Sequence, residues 1–461
     1  MKRALVWLLL LALVGCAGPR PSAPPDTGFD APGTWRTPPA SGAMVDATWW
    51  QAFGDPVLTQ VVEKALQHNV DIALAAQRVE EARAQFRLAD AQLTPTVTAV
   101  AGGERTRGLN AFGRPVTQNL GRVGVDISYE VDLFGRLATA SAAARASLLA
   151  TEAARDTVRL AVAASAAGGY VSLRALDARL ALLHGTLDAR AESLRVVRRR
   201  AETGYAATLD LQQAQADYHA TEQLIPATEL AIRRQEDALS LLLGESPRAI
   251  ERGAALDTVA LPDVPVSVPS ALLRQRPDIA QAELQLVAAD RSLDVARDAF
   301  LPTVRIGAFG GYVDSTLIAD PVGIFSLGGS ILAPIFEGDR LHAQADGAAA
   351  RRNQAAYAYR KAALTAFSEV EDALAAVQRN AEQEGMISAQ RDALARVLTT
   401  ATSRYRAGYS PYLEQLDAQR QLLSAELSRV QSRADRIGAI IRLYQSVGGG
   451  WQAPRVAQQS S

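Results

Sequence analysis

Apolar and polar positions along this chain follow two periods, and the switches between them mark out its elements. From Leu137 to Thr203 a helical pattern runs for 67 residues without a proline, with the Gly168-Gly169 pair as its soft point. A pattern that long belongs to coiled-coil packing, and at 1.5 Å per residue it predicts a rod on the order of 100 Å. Just before it, Val123, Val125, Ile127, Tyr129 and Val131 alternate with Gly124, Asp126, Ser128, Glu130 and Asp132. That is period two, one apolar face and one polar face. Weaker versions follow at Val304, Ile306, Ala308, Gly310 and Tyr312, and at Phe325, Leu327, Gly329 and Ile331. Alternating segments of about 10 residues are the mark of outer-membrane barrel strands, and a soluble antiparallel sheet reads the same way.

The pattern is written twice. Asn69-Val70-Asp71-Ile72 falls on Arg276-Pro277-Asp278-Ile279, and Pro95-Thr96-Val97 on Pro302-Thr303-Val304, both at an offset of 207. Arg136-Leu137 falls on Arg340-Leu341 and Gly204-Tyr205 on Gly408-Tyr409 at 204, followed by Leu209 on Leu413 and Gly244 on Gly448. Each copy predicts a helix at 71–93 or 278–300 that stops at a proline. Two strands follow (96–107 and 119–133; 303–314 and 322–336), then the long helix (from Leu137 or Leu341), a Gly-Tyr turn and a return helix. A short helix at 57–67 precedes the first copy. The helices of about 23 and 36 residues, stacked end to end, roughly match one long helix. The predicted divisions are a signal at 1–15, a tether at 16–40, a first repeat at 41–247, a linker at 248–270, a second repeat at 271–448 and a tail at 449–461.

Four strands are too few for a barrel, which needs about eight. In a bilayer their edges must therefore be satisfied by other subunits. A second membrane attachment is written at the amino terminus. Lys2 and Arg3 precede the apolar run Ala4 to Val14, an n-region and h-region too short to span a bilayer. It ends in Leu13-Val14-Gly15-Cys16, followed by seven prolines between Ala17 and Pro39, which read as an extended tether.

Composition narrows the chemistry. Of 461 residues 88 are alanine, which suits tightly packed helices, and a net charge of -1 leaves no electrostatic case for nucleic acid. Cys16 is the only cysteine, so no internal disulfide framework exists. His68, His184, His219 and His342 have no metal-ligand spacing, and no Gly-rich phosphate loop occurs. Neither a catalytic centre, a metal site nor a cofactor is expected. Glycine at 204 and 408 permits the positive φ that lets two antiparallel helices meet. Glu414 and Asp417 are three apart and share a helix face; they read either as a working acidic pair or as solvated carboxylates favoured near a helix N-terminus.

With these residues assembled, the chain resembles the TolC/OprM-type outer-membrane efflux factors, in their lipoprotein (NodT-like) branch. The resemblance covers nearly the whole mature chain. It rests on Trp49-Trp50-Gln51-Ala52-Phe53-Gly54-Asp55-Pro56, Asp132-Leu133-Phe134-Gly135 and Leu272-Leu273-Arg274-Gln275-Arg276-Pro277-Asp278-Ile279. Ala333-Pro334-Ile335-Phe336-Glu337-Gly338 and the stretch Arg404 to Gln419 add to it. It implies a mainly α protein with a membrane β-barrel, a homotrimer closing 12 strands and continued by a periplasmic α-helical tunnel. It also implies that Leu13 to Cys16 is a lipobox, so that Cys16 carries lipid (palmitate) in the outer membrane, against the simpler alternative of an ordinary signal with an incidental cysteine. The implied function is a passive exit duct for small molecules, among them drugs. A periplasmic adaptor (membrane fusion protein) and an inner-membrane pump, commonly of the resistance-nodulation-division type, would supply energy and selection. Gly204, Tyr205, Leu209, Gly408, Tyr409, Ser410 and Leu413 match the family's adaptor-contact tips. Glu414 and Asp417 match its channel constriction, with Asp210 equivalent to Glu414 and Gln213 replacing the second acid in the first copy. Arg404 and Arg406 are placed to bridge neighbouring helices while the tunnel is closed. A periplasmic coiled-coil adaptor or structural lipoprotein is the alternative, although neither needs paired strands at the ends of its rods. Copper or silver export is less favoured, since Met44 and Met386 are the only mature methionines; aromatic-compound export and type I secretion stay open.

Overall fold

In the computed structural model the described residues are Pro25, Gly28, 32–38, 45–109 and 111–453. Cys16, the leader and most of the tether lie outside them. A 3-10 turn at Trp49–Phe53 leads into α1 (Pro56–His68) and α2 (Val70–Ala91). Strands β1 (Thr96–Leu109) and β2 (Pro115–Val131) follow, then α3 (Arg136–Glu202), α4 (Thr208–Glu222) and α5 (Leu224–Leu242). The second half comprises α6 (Pro269–Leu272), α7 (Pro277–Asp298), β3 (Thr303–Ser315), β4 (Val322–Leu332), α8 (Arg340–Arg406) and α9 (Tyr412–Ser446). No helix among the described residues is long and apolar enough to cross a membrane.

Two differences from the sequence expectation have local causes. The final strand stops at Leu332 rather than running to 336, because Pro334 has no N–H to give a ladder. The first return helix is broken at Gln223, three residues before Pro226, which cannot donate to the Glu222 carbonyl and crowds it. Gln223 keeps right-handed helical angles (φ -60°, ψ -20°), so the break is a kink. Its counterpart α9 has no proline after its start and runs 35 residues unbroken.

The chain divides into two compact units, and each draws matching stretches from both repeats. One gathers Arg78–Glu152 with Gln281–Lys361 and contains the sheet. Its four strands form an antiparallel meander in the order β1-β2-β3-β4. Val125 pairs with Ala99 and Gly310, and Ile127 with Val97 and Ala308, so the alternating apolar residues of β2 lie on one face with those of β3 and β4 read from the sequence. That face is exposed in the single chain, with Phe325 at 89% and Leu327 at 78%. Where β2 ends, Asp132 caps α3 by accepting from the Leu137 and Ala138 amides at 3.1 and 2.8 Å.

The other unit holds residues 153–280 and 362–453 with 32–77. Its core is built on Phe53, Leu58, Val62, Tyr170, Leu173, Leu239 and Ile437, all fully or nearly fully buried. Asp55 organises one corner. Its carboxylate caps α1 through the Val57 amide at 2.8 Å and also accepts from Tyr170 Oη and the Ala254 amide, both at 3.1 Å. Gly169 exposes its carbonyl to Gln235 Nε2 at 3.0 Å and leaves room for Leu239, so the soft pair in α3 is a packing site of a continuous helix. The segment 248–268, irregular apart from a 3-10 turn at Leu256–Thr258, is packed down, burying Ile250, Leu256, Val259, Val264 and Val266. Trp35 is pinned beside it, donating to the Ser267 carbonyl at 2.8 Å and leaning on Phe367.

Candidate functional site

The two Gly-Tyr turns are built alike. At the end of α3, Gly204 takes φ 76°, and the Tyr205 amide reaches back to the Arg200 carbonyl at 2.7 Å. At the end of α8, Gly408 takes φ 79°, and the Tyr409 amide bonds the Arg404 carbonyl at 2.9 Å. Both are Schellman closures, which need a residue in the left-handed region just after the helix. The side chains they present are free: Tyr205 and Tyr409 are 85% and 80% exposed, and Leu209 and Leu413 are also exposed.

Glu414 stands in the first turn of α9 and Asp417 one turn on, both exposed. Arg404 Nε lies 3.8 Å from Glu414 Oε2, across its own turn. Asp417 accepts from Gln421 Nε2 at 2.6 Å. Asp210 is in the first turn of α4 and half-buried, while Arg406 lines a small cavity with Tyr405, Tyr412 and Gln415. The structure thus brings Arg404 to Glu414 and leaves Asp417 and Arg406 apart from them.

Beneath the turns lies a cluster that no sequence pattern singled out. Val197, Ala214, Tyr412 and Leu416 are buried together, joined by Leu194, Leu211 and Tyr405, so α3, α4, α8 and α9 all contribute. Next to it Arg190 and Asp217 are 5% and 3% exposed. Arg190 Nε is 3.0 Å from Asp217 Oδ2, its Nη1 donates to the Asp217 carbonyl at 2.8 Å, and it also donates to Thr221 Oγ1. Arg420 Nε, from α9, donates to the other oxygen of Asp217 at 2.8 Å. Burial pulls the Arg190 pKa down, against the opposing field of Asp217. Burial, with Asp217 second, pushes the Tyr412 phenol up to about 12. One carboxylate therefore ties α3 and α4 to α9 and holds Arg420 away from the exposed acids.

These parts supply two rigid turns with apolar, exposed tips, two exposed carboxylates on one helix face, and a locked ionic cluster behind them. The sequence model of the outer membrane efflux protein family matches the chain twice, over residues 61–245 and 268–449. The chain belongs to the outer membrane efflux protein family. The pyoverdine export outer membrane protein OpmQ of Pseudomonas aeruginosa is 34% identical, with 96% of each chain covered. The toluene efflux pump outer membrane protein TtgC of Pseudomonas putida is 33% identical over 92% of this chain and 90% of its own. Among solved structures, the outer-membrane channel OprN superposes with a TM-score of 0.85 at 27% identity, covering 94% of this chain and all of that one. The open state of the MtrE outer membrane channel of Neisseria gonorrhoeae gives 0.84 at 28% identity, covering 94% and 98%. The long helices and small antiparallel sheet are thus the fold of outer-membrane efflux channels, and the chain is the outer-membrane component of an efflux system.

Proposed function

We infer that this chain is the passive duct of a tripartite system, a homotrimer in which three four-stranded sheets close one barrel above a helical tunnel. The observation that carries this is the sheet itself. Its outer strands β1 and β4 each pair on one side only among the described residues, and its apolar face is exposed. Neither condition is stable in a bilayer unless further strands complete the ring. A periplasmic adaptor docks on the tips, where Gly204, Tyr205, Leu209, Gly408, Tyr409 and Leu413 stand exposed and Ser410 is half-buried beside them, its hydroxyl turned in. An inner-membrane pump of the resistance-nodulation-division type feeds the duct with small molecules, drugs among them, and lipid on Cys16 adds a second hold on the outer membrane. The repeats at 41–247 and 271–448 each supply one hairpin of strands and one helical hairpin, with 248–270 and 449–461 between and after them. A free-standing coiled-coil adaptor has no use for the sheet.

At the tip, Glu414 and Asp417 of three copies form the acidic constriction, with Asp210 as a weaker outer contribution. Arg404 braces Glu414, and Arg406 bridges to a neighbouring helix in the closed state. Replacing Glu414 and Asp417 together by alanine is expected to raise single-channel conductance in planar bilayers and to lower the preference for cations. Conductance and selectivity equal to those of the unaltered protein would remove the constriction from these residues.

A further inference from the structure

The polar face of the sheet carries a single aromatic among its strand residues. Phe309 shares a row with Thr98, Asp126 and Ser326. The next row toward the β1–β2 turn is Val100, Gly124, Gly311 and Ile324, and the row after that is Gly102, Arg122, Val313 and Val322. The Phe309 ring leans into the glycine row. A Cβ added at Gly124 would meet its Cζ at 2.6 Å, and one at Gly311 would meet it at 2.9 Å. An added Cβ would also strike backbone, the Gly310 carbonyl at Gly124 and the Val123 carbonyl at Gly311, so glycine is required at both by strand and ring together, and the ring occupies the socket they leave. From the other side the Arg122 guanidinium lies 3.7 Å above the ring centroid, leaving Phe309 only 7% exposed.

Arg122 itself is exposed and pairs with no carboxylate among the described residues. Glu130, on the same face, is engaged by Arg136 and Arg305 at 2.5 and 3.5 Å. Asp126, two rows inward from Arg122 along β2, is the register partner of Phe309 and so faces the seated guanidinium without forming an ion pair with it, and Glu104 is one row farther out on β1. An aromatic face attracts a guanidinium without neutralising it. The contact thus fixes where the cation sits and leaves it without an ion-pair partner among the described residues.

We propose that Arg122, seated on Phe309 in the Gly124–Gly311 socket, is a fixed cation of the pore wall that draws small anionic solutes into the barrel and disfavours cationic ones. The proposal rests on the reading that the polar face of the sheet lines the pore. Its effect opposes that of the acidic tip and belongs to the barrel end of the duct.

Gly102 offers a reporter. It is the register partner of Arg122 and has nothing within 4 Å of an added Cβ. In outer-membrane vesicles carrying Gly102→Cys, the rates of modification by an anionic sulfonate and a cationic trimethylammonium methanethiosulfonate are compared. The guanidinium leans over Phe309 and is not within 4 Å of that Cβ, and a unit charge so placed, screened by salt water, biases the ratio of the two rates by up to about threefold. Arg122→Gln is expected to lower the anion-to-cation ratio by about that factor, and Phe309→Leu by less, since it keeps the charge and removes only its seat. Reaction of both reagents with a ratio indifferent to Arg122→Gln overturns the proposal and leaves the pore reading intact. A Gly102→Cys thiol that neither reagent reaches in vesicles but both modify in detergent overturns the pore reading, and the proposal with it.

Discussion

Asp217 does more than one carboxylate ordinarily does, since Arg190, Arg420 and, through the field, Tyr412 all depend on it. Removing it strands Arg190 as a buried, unpaired cation, which in general costs about 3 to 5 kcal/mol. Asp217→Ala is therefore expected to lower the thermal midpoint of the helical circular dichroism signal sharply. Arg420→Ala, whose partner keeps Arg190 and whose own side chain is 52% exposed, should cost under about 1 kcal/mol. Equal midpoints for the two variants would contradict the ranking. Tyr170 gives a pH handle. Burial, opposed by the Gly253 amide it accepts from, raises its phenol from 10.0 to about 12. A phenol raised by the fold stabilises fully below pH 10, and that contribution is lost as pH climbs toward 12. Tyr170→Phe is expected to flatten the fall in thermal midpoint across that window, and an unchanged slope would assign the fall to other groups.

At the scale of elements, the duplication has left the same joint twice. Gly244, ending α5 at φ 69°, sits against the His68 carbonyl, where an added Cβ would lie at 2.3 Å. Gly448, ending α9 at φ 92°, sits against the Gln275 carbonyl in the same way, at 1.9 Å. Each joint is then clasped by a side chain: Asn69 Nδ2 donates to the Leu242 carbonyl at 3.0 Å, and Arg276 Nη1 to the Ser446 carbonyl at 2.9 Å. A methyl group at Gly448 meets backbone that cannot yield, in a region of φ that alanine avoids. Gly448→Ala should cost more than about 3 kcal/mol and greatly reduce folded protein in the membrane, whereas Gly185→Ala, on an open face of α3 with nothing within 4 Å, should be neutral or stabilising. The long helices and strands were legible from period and breaker and Gly204 and Gly408 from their turns, whereas Gly244 and Gly448 were legible only as positions repeated at the same offset. The kink before Pro226 was legible as well, since an interior proline bends or breaks a helix just ahead of itself, but matching the return helix to its unbroken repeat partner reads straight through it. The Asp217 cluster was not legible. Charges on an amphipathic helix are assigned to water by periodicity, and only the packing of four helices puts Arg190 and Asp217 inside. The exposed tip residues, read by resemblance, were easy to locate and say nothing locally about what they touch.

For the whole molecule, the sheet and the proposed lipid on the amino terminus are two separate attachments to the outer membrane, and they are separable by experiment. The apolar face of β1–β4, with Val123, Val125, Ile127, Phe325, Leu327 and Ile331 exposed in one chain, needs a hydrocarbon environment whether or not a lipid is attached. On the proposed reading, lipid on Cys16 would hold the chain at the membrane surface, whereas the barrel would span the bilayer and so would keep the protein there without it. Cys16→Ser is accordingly expected to abolish incorporation of labelled palmitate while leaving folded protein in the outer membrane after an alkaline carbonate wash, at reduced yield. Palmitate incorporated without Cys16 would move the lipid elsewhere. A Cys16→Ser protein recovered folded and water-soluble from the periplasm would mean that the sheet does not span the bilayer, and it would return the chain to the alternative of a lipid-tethered coiled coil.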